Sequence, residues 1–192
     1  ACEMVADFYD KCRDELTLTK DAALYLYAGM VTDSGRFRYD ATNARTFRLA
    51  SYLMEQPIDT NALYRNLYAS DYAQLVVRAK FLLHVQFTEK NVAYVYTTMD
   101  GKGEYGVDDF TLSRGMVNSM ADMRGVDIWV NFTESDKGVL CELRSSRFNI
   151  NPIAVKYGGG GHMKASGATL IVGPKWCGKT TTGEQKAKSI LK

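Results

Sequence analysis

The residues best placed to do chemistry lie together in Tyr157-Gly158-Gly159-Gly160-Gly161-His162-Met163-Lys164-Ala165-Ser166-Gly167. Four successive glycines free the backbone for positive φ and leave amide N–H groups uncovered, so an anion can approach the main chain closely. His162 follows directly and adds a proton-tunable donor for an oxyanion. Phosphate recognition is the chemistry this pattern suggests, with Gly159, Gly160, Gly161 and His162 as the contacts. The competing reading is plainer: Gly158 ends a helix and the rest is a flexible loop.

The elements around this stretch decide between the two. Asn151 to Lys156 reads as a short helix, with Asn151 as N-cap and Pro152 as the first helical residue. Before it, Val126 to Phe132 and Val139 to Ser145 alternate as two strands joined by Asp136-Lys137-Gly138, a hairpin whose second arm delivers Arg144 and Ser145 beside the glycines. A guanidinium fork suits a phosphate or a base, while a surface salt bridge would explain Arg144 equally well.

The string RSSRFNINPIA at 144–154, followed by GGGGHMKASGATL, resembles the DHH-associated domain of DHH-superfamily phosphoesterases, in the oligoribonuclease/pAp phosphatase (nanoRNase) branch. The resemblance implies that Arg144, Ser145 and the glycine-histidine loop hold the nucleotide end of the substrate, with His162 also serving catalysis. Upstream, ALYLYAGMVTDSGRFRYDATNARTFRLASYLMEQPIDTNALYRNLY resembles the fourth metal-site motif of the same superfamily. By that match Asp33 is catalytic and binds a divalent cation, with Phe37 and Tyr39 shaping the wall around it. Read without the resemblance, Asp33 is a turn former or cap ahead of Gly35.

The implied fold is α/β. Residues 1–57 correspond to the C-terminal part of a parallel-sheet DHH domain, 58–88 to linker helices, 89–170 to an associated substrate-binding domain with a mixed sheet, and 171–192 to a tail of separate character. Periodicity predicts helices over 1–16, from Lys20 to about Met30 behind a Thr19 cap, over 42–56, from Asp59 or Thr60, from Ser70 or Asp71 through Phe87, and over 111–123. From Asn91 the period switches to that of a strand. His84, among Leu83, Val85 and Phe87, reads as a packed histidine. The first residues already look helical, which suggests a chain that begins further upstream. The Asp-His-His motif that names the superfamily is not among these residues. The resemblance implies two manganese or magnesium ions in the complete protein; Asp33 alone cannot hold them.

Composition narrows the class. The 192 residues are 46% hydrophobic and 24% charged, as in a soluble globular protein. No apolar run approaches the ~20 residues of a membrane span, and a cytoplasmic setting without membrane partners is expected. Cys2, Cys12, Cys141 and Cys177 form no C-x-x-C pair, so they read as reduced thiols rather than zinc ligands. Of 24 basic and 22 acidic residues, five lysines and one glutamate fall in 168–192, which leaves a slightly acidic body. Such a body favours a small or single-stranded anionic ligand over long nucleic acid; the resemblance implies short RNA or a pAp-like nucleotide as partner, and no duplex DNA.

The tail carries its own motif. Ala168 to Val172 reads as a strand leading into Gly173-Pro174-Lys175-Trp176-Cys177-Gly178-Lys179-Thr180, which satisfies G-x-x-x-x-G-K-[ST]. In a P-loop Gly173 and Gly178 would shape the phosphate cradle, Lys179 would reach the outer phosphates and Thr180 a magnesium ion. The segment resembles the Walker A region of prokaryotic ATPases. Only 12 residues follow Thr180, too few for a second catalytic strand. The jump in character near Gly167 to Leu170 reads as a fusion or as a joined reading frame. A non-catalytic nucleotide-binding module and a nucleotide-binding fusion therefore stand beside the enzyme reading.

Overall fold

A computed structural model of the chain describes residues 1–170 and 183–191, and its contacts divide into two units, 1–70 and 71–192. The division falls inside the 58–88 stretch read as linker. The motif Gly173, Gly178, Lys179 and Thr180 lies outside the described residues.

The first unit is four helices: α1 (Cys2–Lys11), α2 (Lys20–Asp33), α3 (Ala44–Met54) and α4 (Thr60–Tyr68). Thr19 caps α2 through the Ala22 amide, Asn43 caps α3 through Arg45 and Thr46, and Asp59 caps α4 through Ala62, each supplying an acceptor to an otherwise unpaired N–H. Ala6, Ala23, Tyr27, Met30, Val31, Leu49 and Leu53 form the core between α1, α2 and α3.

The second unit is built on one six-stranded sheet of order β1-β2-β3-β4-β6-β5. The helix α5 (Tyr72–Leu83) precedes β1 (Gln86–Phe87) and β2 (Ala93–Thr97); β3 (Ile128–Ser135) and β4 (Gly138–Ser145) form the expected hairpin. Then come α6 (Asn151–Lys156), β5 (Gly160–His162), β6 (Ala165–Leu170) and α7 (Gly183–Ile190). The sheet is mixed: β2 and β3 run parallel, the other pairs antiparallel.

Alternation along β3 and β4 sends side chains to two faces. Val130, Phe132, Val139, Cys141 and Leu143 pack with Ile150 and Ala154 of the α6 region and Ala187 of α7. Burial pushes the Cys141 thiol up, so it is an inert core residue. On the other face Ala93, Val95 and Trp129 pack with Phe81 of α5 and with Leu112, Val117 and Met120.

Several expectations are corrected. The helix expected through Phe87 stops at Leu83, because Gln86 and Phe87 pair with Tyr94 and Ala93. His84 is half exposed at the end of α5, with Nδ1 2.9 Å from the Tyr105 hydroxyl, rather than packed in the core. Ile150, not Asn151, is the N-cap of α6; Asn151 is already helical and gives its N–H to Asn149 Oδ1 at 3.2 Å. The helix expected over 111–123 is instead a π-type turn, Thr111–Gly115, and a 3-10 turn, Val117–Met120. Here the fully buried Asn131 Nδ2 donates to the carbonyls of Leu112 (2.7 Å) and Ser113 (2.8 Å), taking acceptors a regular helix would use.

Candidate functional site

The glycine stretch does two jobs, neither of them that of a flexible loop. Gly158, at φ +77°, and Gly159 end α6: Gly158 N–H donates to Val155 O at 3.0 Å and Gly159 N–H to Ala154 O at 2.9 Å, closing the helix's last carbonyls. Those two amides are therefore not free for a ligand. The chain then enters β5, the edge strand, which turns alternate N–H groups to its open side. A two-residue turn, Met163-Lys164, returns it along β6.

Register gathers the site. Arg144 lies opposite Ala165, and Ala165 lies opposite His162, so the three share a row and a face across β4, β6 and β5. The adjacent row on that face runs Asn131, Glu142, Gly167, Gly160. The turns at 111–120 cover the β3 side of this face, while β4, β6 and β5 floor a cleft of about 1040 Å³. Arg144, Glu142, Gly158 to Gly161, His162 and Ser166 line it, and Phe110 and Arg114 stand on its wall.

The guanidinium is held rather than loose. Arg144 Nη1 lies 3.0 Å from Glu142 Oε2 and donates to the Leu143 carbonyl at 2.8 Å, with 12% of the side chain exposed. A guanidinium has five N–H donors, and among the described residues the contacts of Arg144 fall on Nη1, so Nε and Nη2 keep capacity for an anion. His162 is exposed at the cleft, and its carbonyl accepts from Ser166 Oγ at 2.7 Å, which ties the two arms of the hairpin together.

Ser145 is placed differently. It belongs to the opposite face, its Oγ accepts the amides of Arg147 (3.2 Å) and Phe148 (2.7 Å), and it is not among the described residues lining the cleft. It shapes the turn after β4. Glu142, Phe110 and Arg114 escaped the reading of the sequence. The alternation Leu140-Glu142-Arg144 was the available signal for Glu142; the wall residues had none, because an irregular turn carries no periodicity.

Asp33 sits in the first unit, at the last turn of α2, with its carboxylate 66% exposed. It lines a small pocket of about 130 Å³ with Glu3, Ser34, Thr42 and Thr46. Gly35, Arg36 and Phe37 follow at φ +56°, +63° and +61°, a left-handed turn pinned by Ser34 Oγ, which donates to Met30 O at 2.6 Å and accepts from Phe37 N at 2.9 Å. Phe37 packs against Phe47, ring centres 5.3 Å apart, and the Tyr39 ring lies 2.5 Å from where a Cβ on Gly35 would stand. No group of three or more His, Cys, Asp or Glu placed to hold a metal occurs among the described residues. Asp33 and Glu3 are two carboxylates without the further ligands a divalent ion requires, so this donor set does not fit a metal site by itself.

Residues 88–179 match the DHHA1 domain. The chain is similar to the DHHA1 domain over that stretch, which holds the cleft described above. It is 30% identical over 169 residues to the bifunctional oligoribonuclease and PAP phosphatase NrnA of Bacillus subtilis (strain 168), covering 88% of this chain and 54% of that protein. It is 32% identical over 170 residues to the Mycoplasma genitalium protein of the same name, covering 88% and 52%. This chain thus spans about half the length of the curated relatives it matches. The crystal structure of an exopolyphosphatase-related protein from Bacteroides fragilis has the same fold, with a TM-score of 0.75 at 24% identity over 90% of this chain and 50% of that one. Among the described residues no helix is long and apolar enough to cross a membrane.

Proposed function

We propose that the DHHA1 unit is the substrate-holding half of a phosphoesterase that hydrolyses short oligoribonucleotides and 3′-phosphoadenosine 5′-phosphate in the cytoplasm. The observation that carries this reading is the row Arg144, Ala165, His162 on one face of a cleft floored by glycine. A methyl group between a fixed guanidinium and an exposed imidazole leaves room for a phosphate that both can reach. Arg144, preorganised by Glu142, gives planar charge-assisted hydrogen bonds; His162 adds an N–H donor. The names of the curated relatives support the substrate class.

In the complete protein Asp33 would be one ligand of a manganese or magnesium pair. The other ligands would come from the portion of the relatives that this chain does not span. Such ions would supply Lewis acidity there; the residues of the cleft would bind and orient the substrate. The test joins this chain to the portion that its relatives carry and it does not span, and measures manganese-dependent release of mononucleotides from a diribonucleotide and of phosphate from pAp. A folded product inert toward both would remove the enzyme reading. It would leave a nucleotide-binding module, which the mixed charge of the cleft also supports.

A further inference from the structure

One wall of the cleft is unexplained by phosphate binding. Phe110 is 66% exposed, a large aromatic left in water, and it lines the same cleft as the glycines. The wall is also held stiffly. Asp109, beside Phe110, pairs with Lys102 Nζ at 2.7 Å; Asp108 accepts both the hydroxyl (2.6 Å) and the amide (2.9 Å) of Thr111; and buried Asn131 anchors Leu112 and Ser113. An exposed ring on a mobile loop is commonplace, but here three polar anchors fix the turn that carries it.

The floor of the same cleft is open at its edge strand. Asn131, which anchors the wall, shares its row with Glu142, Gly167 and Gly160. Gly167 and Gly160 put no side chain on the cleft face; the Glu142 carboxylate lies 3.3 Å from where a Cβ on Gly167 would stand, whereas nothing lies within 4 Å of that point on Gly160. The anion row of Arg144 and His162 is the next row along the strands, about 7 Å away at two residues of strand rise. That offset suits the span between a 5′-phosphate and its base.

We infer that Phe110 and the open floor at Gly160, bounded by Glu142, form a slot for the base of a nucleotide whose phosphate lies on Arg144 and His162, with the base stacked on the Phe110 ring. This deepens, and rests on, the phosphate reading of the cleft. Stacking on an aromatic is tolerant of base identity, so the slot favours nucleotides over sugar phosphates without choosing among bases.

The experiment titrates the 192-residue chain with 5′-AMP and with ribose 5-phosphate, the same phosphate without the base. The native chain should hold AMP about tenfold more tightly. Phe110→Ala should erase that difference by weakening AMP alone, and Phe110→Trp should keep it; Arg144→Ala should weaken both ligands. The slot is overturned if AMP has no advantage in the native chain, or if Phe110→Ala weakens both ligands equally or neither. If Arg144→Ala leaves both titrations unchanged, the phosphate reading itself falls and the slot with it. Phe110 is exposed, so its variants should melt with the native chain, and a matching melting curve excludes a folding defect as the cause.

Discussion

Arg144 and His162 stand on opposite sides of Ala165 in a single row, one on β4 and the other on the edge strand β5. At the usual strand spacing their backbones lie about 10 Å apart, and long side chains on one face can converge over the methyl between them. Arg144→Ala and His162→Ala should each weaken binding of pAp by about tenfold or more, the scale of one charge-assisted hydrogen bond, read by titration calorimetry. Arg144→Lys should not restore it, since an ammonium lacks the fork. Removing Arg144 also strands the mostly buried Glu142 carboxylate. The paired variant Arg144→Gln with Glu142→Gln therefore separates lost binding from lost stability.

The four glycines separate by what a side chain would meet. A Cβ on Gly159 would lie 2.0 Å from Gly167 O, and one on Gly161, at φ +145°, would lie 2.5 Å from Ala165 O; at Gly160 nothing stands within 4 Å. Gly159→Ala should therefore lower the melting temperature sharply or prevent folding. Gly160→Val should fold with near-native stability and lose nucleotide binding, because its side chain would occupy the cleft floor. A Gly160→Val chain that binds AMP normally would remove the glycine floor from the site.

This contrast marks what was legible in the sequence. The Thr19 cap, the helix start at Asp59 or Thr60 and the helix at 151–156 follow from local pattern and appear where pattern puts them; the hairpin is there too, with its first strand at Ile128–Ser135 rather than Val126–Phe132. Arg144 and His162 were singled out, but their registry through Ala165 depends on β6 pairing between β4 and β5, a long-range choice that no short window encodes. The glycine run read as an amide nest because glycine frees the backbone in any setting; two of its amides instead close α6. Residues 111–123 read as a helix because their propensities allow one. Asn131, on a strand some 20 residues away, took two of its carbonyls.

That anchor gives the next prediction. Asn131→Leu keeps the branched skeleton but leaves the carbonyls of Leu112 and Ser113 without their donor, at roughly 1–3 kcal/mol for each group stranded. The unfolding midpoint should fall accordingly, and amide exchange should quicken across 108–116 ahead of the rest of the sheet. Uniform acceleration through β3 and β4 would mean that Asn131 serves the core rather than the wall.

Acid should loosen the same wall from its other end. The hydroxyl and amide of Thr111 hold the Asp108 carboxyl below the usual carboxylate range. A depressed folded value means that the stabilisation is complete above the unfolded value of about 3.9 and is lost as pH falls through the lower folded one. Amide exchange at Thr111, corrected for the intrinsic pH dependence, should show protection that holds above about pH 4 and fades below it. Asp108→Asn should move that fading out of the acid range, whereas an unaltered profile would assign it to another carboxylate.

The left-handed turn behind Asp33 supplies the last test. Arg36 and Phe37 at positive φ cost about 1–2 kcal/mol each, and what holds them is local: the Ser34 hydroxyl on Met30 O and Phe37 N, and the Phe37 ring against Phe47. Ser34→Ala should cost about 1 kcal/mol and release the turn, visible as faster exchange of the Phe37 amide. Asp33 makes no comparable contribution to the fold, since its carboxylate is mostly in water, so Asp33→Asn should leave the melting curve of this chain unchanged. In the complete protein the same substitution should remove manganese-dependent turnover while leaving AMP binding by the DHHA1 cleft intact. Loss of both together would mean that Asp33 acts through folding, and retention of turnover would take it out of the metal site.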